Sequence, residues 1–118
     1  MSDEIQWHLR VKIKPGQLEA FKSVMTEMVA VTRQEEGMLI YEWYFSEDET
    51  ICEIHERYRD TAAVLVHANS FGIFAARFQA AAIPVSMNVY GSPTEGVRTG
   101  LAPFKPDYYE MKDGFARL

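Results

Sequence analysis

Glu56 and His67 are the two side chains best suited to moving protons, and both lie in the stretch EIHERYRDTAAVLVHANSF at residues 53–71. Imidazole changes its charge near neutral pH, and a carboxyl group acts as a base when ionised or an acid when protonated. Brought together by the fold, they would form a catalytic acid–base pair. The competing interpretation is structural, because a buried glutamate needs a partner, which could be His67, Arg77 or a backbone N–H.

The other two histidines, His8 and His55, raise the question of a metal site. Both fall on alternating segments at positions that point away from the predicted helices, towards the same face of a sheet. A metal centre needs further ligands in tight geometry, and Glu42, Glu53 or a second copy of the chain would have to supply them. The sequence therefore predicts solvated or interfacial histidines, and it predicts no metal.

Aromatic and methionine side chains could line a small-molecule pocket beside the acid–base pair. Ligand pockets are mostly apolar and carry a few polar groups. Such residues at regular spacing are more often plain core, so both interpretations remain open. The candidate substrate-binding residues are Trp7, Tyr41, Trp43, Tyr58, Phe71, Phe74 and Met87.

Four strands and two helices are predicted to position these residues. Apolar and polar residues alternate over 5–13 and 51–59, which predicts two strands, and two more are predicted over the aromatic-rich segment 38–45 and over 83–91. A stripe of apolar residues predicts a first helix over 17–36, with Gly37 as a left-handed C-cap. Asp60 is the predicted N-cap of a second helix, and Ser70 is predicted to cap a continuation of it.

The order βαββαβ predicts an α+β fold, the ferredoxin-like sandwich, with both helices on one face of a four-stranded antiparallel sheet. The other face mixes Ile40 and Tyr44 with charged residues, which is typical of an interface. We therefore expect a homodimer that pairs two such sheets into an α/β barrel. Residues 1–91 form this domain.

Residues 92–118 are predicted to be an extension that packs on this domain or on a partner subunit. The sequence SPTE predicts a capping box, with Pro93 at the first position of a short helix. The sequence YYEMKDGFARL then predicts a short hairpin that turns at Asp113 and Gly114.

Composition excludes several classes of partner. The chain has 118 residues, a net charge of −5 and no basic cluster, so neither nucleic acid nor an anionic membrane is expected as a partner. Cys52 is the sole cysteine, and no histidine–aspartate pair is placed to activate it. The start MSDEIQW lacks the features of a signal peptide, and we expect a cytoplasmic protein.

Several segments resemble the antibiotic biosynthesis monooxygenase family of small dimeric α/β-barrel proteins. They are the KPG turn, EEG after the first helix, YEWYFSED, and Glu56 followed by Asp60, Ala63, His67, Ser70 and Phe71. The resemblance covers roughly residues 5–91. It implies the fold and the dimer more strongly than any chemistry, because one fold hosts many functions.

The resemblance implies three possible functions. The first is cofactor-independent oxygenation, in which an electron-rich aromatic or quinol substrate reacts with O₂ in a pocket between helices and sheet. There His67 would transfer the proton, and Tyr41 or Tyr58 would hold the substrate. The second is a non-catalytic, small-molecule-binding or stress-related dimeric module. The third is haem binding or degradation, although strand one carries Gln6 and His8 where the haem-degrading branch has an asparagine.

Overall fold

The computed structural model describes residues 2–117, which contain five strands and four α-helices. The strands are β1 (Ile5–Ile13), β2 (Met38–Phe45), β3 (Ile51–Tyr58), β4 (Ala82–Gly91) and β5 (Asp107–Tyr109). The helices are α1 (Leu18–Thr32), α2 (Thr61–Phe71), α3 (Ala75–Ala81) and α4 (Glu95–Leu101), and a 3₁₀ turn covers Ala102–Phe104. Within this range, no helix has both the length and the apolar character needed to cross a membrane.

The sheet has the strand order β2-β3-β1-β4-β5. The first four strands pair antiparallel, which confirms the predicted α+β, ferredoxin-like arrangement. β5 is an addition that pairs parallel to β4, so the predicted purely antiparallel, four-stranded sheet is wrong in this respect. A parallel strand needs a crossover connection, and α4 with its 3₁₀ turn provides it.

The predicted C-terminal hairpin is absent from the described residues. The strand in this segment is β5, and residues 110–117 form no strand that could pair with it. Gly114 has a positive φ of 124°, and its N–H donates a hydrogen bond to the Asp113 carboxylate. The chain therefore bends at the two predicted residues. Two turn residues do not create a hairpin when the flanking strands have no second neighbour to pack on.

One face of the sheet carries the core. Alternate residues of β1 are buried beneath the helices, and Phe21, Val24 and Met28 of α1 pack on them. Since successive side chains of a strand point to opposite faces, the same alternation in β3 buries Glu56 and Tyr58 and leaves His55 on the outer face.

Two predicted features at the end of the first helix are wrong. α1 ends at Thr32 rather than at residue 36, and Gly37 is not a left-handed cap. A Cβ atom at Gly37 would lie 2.5 Å from the Cβ of Ala63. Glycine at this position therefore allows the first turn of α2 to pack closely against the segment that precedes β2. The segment between α1 and β2 thereby brings Glu35 towards α2.

The helix caps follow the prediction at Asp60 and depart from it elsewhere. Asp60 accepts a hydrogen bond from the N–H of Ala63 at 2.9 Å, which confirms it as the N-cap of α2. Ser70 lies inside α2, and α3 begins after Phe74 with no side-chain cap. The cap of α4 is Thr94, so the predicted capping box begins two residues too early.

Candidate active site

His67 lies between two carboxylates in the interior of the protein. Its residue is 7% exposed, on the face of α2 that packs against the sheet. The Nδ1 atom is 3.1 Å from Oε1 of Glu35, and the Nε2 atom is 3.5 Å from Oε1 of Glu56. The predicted proximity of His67 and Glu56 is therefore present, and a second carboxylate completes the cluster.

Glu35 is a site residue that the sequence reasoning missed. Its Oε2 atom accepts a hydrogen bond of 2.6 Å from the hydroxyl of Ser70, while its Oε1 atom faces the imidazole. The available signal was the segment EEG, which contains Glu35 and is one of the segments that carry the family resemblance. A carboxylate fixed at one end and bonded to Nδ1–H orients the ring and leaves Nε2 as the basic nitrogen.

Glu56 is buried among polar groups. The hydroxyl of Tyr58 donates to its Oε1 atom at 2.5 Å, and His67 lies on the other side. Burial raises the pKa of Glu56, and the charge of His67 and the hydrogen bond from Tyr58 oppose this rise. Glu56 consequently keeps its proton to a higher pH than an exposed carboxyl group, which suits it to act as an acid. The proposed alternative partner Arg77 is not involved, because it binds Glu27 at the surface.

The tyrosines near the cluster remain neutral donors. Burial, followed by the charge of Glu56, raises the pKa of Tyr58 well above its ordinary value. The same two causes raise the pKa of Tyr41, whose ring meets the ring of His67 edge-on at 5.3 Å. Neither phenol is poised to give up a proton, so proton transfer rests on the histidine and the carboxyl groups.

A cavity of about 440 Å³ opens beside Glu56 and His67, between α2 and α4 and above β3, β1 and β4. This volume lies within the range of small-molecule sites. Its lining is mainly apolar, with the polar groups of Glu56, Tyr58 and His67 on the side of β3 and α2. An acid–base pair in the lining of an apolar cavity can move protons on a substrate that displaces water from it.

The predicted pocket residues divide into two groups. Four of the seven line the cavity together with the acid–base pair: Trp7, Tyr58, Phe71 and Met87. The structure places Tyr41, Trp43 and Phe74 outside the cavity lining. Trp43 packs against Phe21 and Phe78, Phe74 belongs to the core, and Tyr41 lies behind the imidazole.

The C-terminal extension supplies the opposite wall of the cavity, which the sequence reasoning did not foresee. The lining residues from α4 and its 3₁₀ turn are Gly96, Val97, Gly100, Leu101, Pro103 and Phe104. Val97 and Leu101 are buried and attach the segment to the core. The extension thus contributes to the cavity of its own chain.

The outer face of the sheet carries a row of aromatic rings that crosses all five strands. The rings of His8 and His55 stack with centroids 3.8 Å apart, as their predicted common face requires. Tyr44 on one side and Tyr90 followed by Tyr109 on the other continue the row. Among residues 2–117 there is no group of three or more histidine, cysteine, aspartate or glutamate side chains that could hold a metal ion.

The cysteine carries little chemistry at this site. Burial raises the pKa of the Cys52 thiol to about 12, so its thiolate is disfavoured and it is a poor nucleophile.

Comparison with known proteins places this arrangement in a family. MupZ from Pseudomonas fluorescens is 26% identical, with a TM-score of 0.86 over 98% of this chain and 96% of its own. PA3566 from Pseudomonas aeruginosa is 26% identical, with a TM-score of 0.68 over 80% of this chain and 98% of its own. SnoaB from Streptomyces nogalater, a cofactor-independent oxygenase, is 16% identical, with a TM-score of 0.66 over 79% of this chain and 96% of its own.

These structures support the fold, and a sequence match identifies the family. No curated protein matches the chain significantly. Residues 7–82 match the profile described as antibiotic biosynthesis monooxygenase, a span that covers more than half of the chain and includes Glu35, Glu56 and His67. The chain therefore belongs to the antibiotic biosynthesis monooxygenase family.

Proposed function

We propose that this protein is an enzyme that oxygenates an electron-rich aromatic or quinol substrate without a cofactor, using His67 as the base. The observation that carries this proposal is the buried imidazole, held by Glu35 and facing Glu56, in the lining of a mainly apolar cavity. Membership of the family and the likeness to SnoaB, a cofactor-independent oxygenase, support it.

The reaction begins when Nε2 of His67 takes a proton from a hydroxyl or an activated C–H group of the substrate. The resulting anion transfers one electron to O₂, and the two radicals combine to form a C–O bond and a peroxide. The protonated imidazole returns its proton to the peroxide anion, and the neutral imidazole then takes the remaining hydrogen of the same carbon as a proton. The O–O bond breaks and a carbonyl group forms, so one oxygen atom enters the product and the other leaves as hydroxide, which becomes water. Glu56 in its protonated form can supply the proton to the departing hydroxide.

The protein contributes position and environment to these steps. Trp7, Phe71 and Met87 provide apolar surface for a flat ring, and the Tyr58 hydroxyl supports the acid–base pair. A substrate anion formed in such a cavity is less solvated than in water, so it is a stronger electron donor to O₂.

The test is an oxygen-consumption assay with a panel of quinols, anthrones and polyhydroxylated naphthalenes under ¹⁸O₂. We expect one labelled oxygen in the product, and a loss of about 10²–10⁴-fold in rate for His67→Ala, the range typical of a general base. Glu36→Gln, at an exposed position beside Glu35, is the matched control and should keep full activity. Absence of O₂ consumption with the whole panel, or an unchanged rate in His67→Ala, would reject the proposal.

A second candidate function is proton-transfer chemistry that does not consume O₂, such as an isomerisation or an intramolecular addition. The observation in its favour is Glu56, because burial raises the pKa of this carboxyl group beside the imidazole of His67, and such a pair can supply both an acid and a base. In this case the product has the same mass as the substrate, and turnover continues without loss under argon. The ¹⁸O₂ assay thus separates the two functions.

We also propose that the protein acts as a homodimer through the outer face of the sheet. Half-exposed Tyr44 and Tyr109 flank the stacked histidines there, so the row of rings offers apolar surface to a second copy. A twofold axis across this face would bury the row against itself. The partners of the enzyme are then a second subunit, a small aromatic molecule and O₂.

A further inference from the structure

The imidazole of His67 lies between two carboxyl groups that compete for the same proton. A neutral ring carries one N–H, on either Nδ1 or Nε2, and the acceptor that each nitrogen faces decides which of the two tautomers is populated. Oε1 of Glu35 is 3.1 Å from Nδ1, and Oε1 of Glu56 is 3.5 Å from Nε2. The ring therefore has an acceptor for either tautomer.

One of the two tautomers presents a base to the cavity. Glu56 and His67 belong to the cavity lining whereas Glu35 does not, so Nε2 is the ring nitrogen on the side of the cavity. With the proton on Nδ1, Nε2 has a free lone pair that can accept a proton from a bound molecule. With the proton on Nε2, the lone pair faces Glu35 instead, and the ring is not a base towards the cavity.

The hydroxyl of Ser70 fixes the carboxylate on the far side of the ring. Its oxygen is 2.6 Å from Oε2 of Glu35 and 3.1 Å from the carbonyl oxygen of His67. A hydroxyl has a single proton, and the shorter distance and the charged acceptor favour the bond to the carboxylate. Because Ser70 follows His67 by three residues, the same side of α2 carries the ring and the donor that holds the ring's partner.

The competing carboxyl group is a poorer acceptor for the ring. Oε1 of Glu56 already accepts the hydroxyl hydrogen bond of Tyr58 at 2.5 Å, and it lies farther from the imidazole than the oxygen of Glu35. Burial also raises the pKa of Glu56, and a carboxyl group that holds a proton accepts more weakly than a carboxylate. Both effects favour the proton on Nδ1 as long as Glu35 stays in place.

We infer that Ser70 is a positioning residue, which holds Glu35 against Nδ1, selects the Nδ1–H tautomer of His67 and so keeps Nε2 basic towards the cavity. Helix propensity does not explain a serine in the last turn of α2, since alanine is the better helix former. The use of the base in catalysis rests on the proposed function, whereas the choice of tautomer does not.

Nitrogen NMR of protein labelled with ¹⁵N in its imidazole rings reads the tautomer directly, because protonated and unprotonated ring nitrogens resonate far apart. The pH is raised until the histidine signals stop changing, so that the rings are neutral, and His67→Ala identifies the signals of His67. We expect Nδ1–H in the wild-type protein and a mixture with Nε2–H in Ser70→Ala. The rate of O₂ consumption should fall about 10–100-fold in Ser70→Ala, the range typical for loss of a group that orients a functional histidine.

Three variants make the result specific to the hydroxyl. Ser70→Thr keeps this group and should restore the Nδ1–H tautomer and most of the activity. The matched control is Asn69→Ala, at the neighbouring exposed position of α2, which should match the wild-type protein in both measurements. Ser70→Cys keeps the shape of the side chain but donates weakly, so it replaces the alanine variant if that protein does not fold.

Three results would overturn the inference: an Nε2–H tautomer in the wild-type protein, an unchanged Nδ1–H tautomer in Ser70→Ala, or a shifted tautomer that Ser70→Thr does not reverse. An unchanged tautomer with a lower melting temperature would give Ser70 a purely structural role. Failure of the proposed chemistry looks different. In that case the tautomer still shifts in Ser70→Ala, while the wild-type protein consumes no O₂ with the quinol panel.

Discussion

At the scale of single residues, the site is governed by the burial of charged groups. His67 and Glu56 are each 7% exposed, and the side chain of Glu35 is 9% exposed. Taking such groups out of water costs free energy unless they bond to one another. The cluster satisfies this condition through Ser70 and Tyr58, which each donate a hydroxyl hydrogen bond to a carboxylate.

The raised pKa of Glu56 makes the stability of the protein depend on pH. A carboxyl group whose pKa is higher in the folded state than in the unfolded chain stabilises the fold below its ordinary value of 4.5, and this contribution is lost as the pH rises through the raised value. Glu56→Gln keeps a neutral side chain at every pH. We therefore expect the free energy of unfolding of Glu56→Gln, relative to wild type, to increase steadily with pH.

Urea denaturation from about pH 4.5 to about pH 8 measures this difference. Glu19→Gln, at an exposed position on α1, is the control and should run parallel to wild type. A constant difference between Glu56→Gln and wild type across the whole range would show that the carboxyl group is not shifted by burial.

Glu35 shows why part of the site could not be predicted from the sequence. Glu56 and His67 were found because strand parity and helical spacing place them on the face that packs between sheet and helix. Glu35 lies in the irregular segment between α1 and β2, where no period indicates the direction of a side chain. Its role depends on the early end of α1 and on the approach of α2, both of which are tertiary effects.

At the scale of elements, the approach of α2 depends on Gly37. Because a Cβ atom there would lie 2.5 Å from the Cβ of Ala63, Gly37→Ala should force a shift and destabilise the fold by about 1–3 kcal/mol, as overpacking does. The same change should lower activity, since it displaces the helix that carries His67. The midpoint of urea denaturation measures the first effect.

A double-mutant cycle identifies the contact responsible. Ala63→Gly removes the opposing methyl group, so the Gly37→Ala/Ala63→Gly protein should lose less stability than the two single changes summed. Additive losses would mean that Gly37 is needed for its backbone conformation rather than for its contact with Ala63.

The sheet should lose stability in acid because of its paired imidazoles. Burial, followed by the neighbouring charge of His55, lowers the pKa of His8 below its ordinary value of 6.5, and Glu53 partly opposes this. A histidine with a lowered pKa stabilises the fold above 6.5, and that contribution is lost as the pH falls through the lowered value. His8→Gln should therefore reduce the loss of stability between about pH 7.5 and about pH 5. An identical loss in both proteins would contradict this account.

The strands β1 and β3 were predictable because each buries one face, which imposes a period of two along nine and eight residues. β5 was not predictable for the opposite reason. It has three residues, of which Tyr108 is only partly buried, and its parallel pairing depends on the path of α4. The turn signal at Asp113 and Gly114 therefore favoured a hairpin that does not form. The same crossover places α4 against the cavity, and no local sequence pattern predicts that position.

At the scale of the whole molecule, the two faces of the sheet differ in what covers them. The helix-covered face holds the core and the cavity, while the outer face shows aromatic rings and charged groups to its surroundings. A charge introduced in the middle of the row of rings would meet its own copy across a twofold axis and should prevent association. His55 is suited to this test because it lies on a central strand and is not part of the cavity lining.

Sedimentation velocity at micromolar concentration distinguishes the two assembly states. We expect the wild-type protein to sediment at twice the 13.5 kDa mass of one chain, and His55→Glu to sediment as a single chain. Gln34→Glu, which adds the same charge at an exposed position beyond α1, should remain a dimer. A monomeric wild-type protein, or a dimer that His55→Glu leaves intact, would show that the outer face is not the interface.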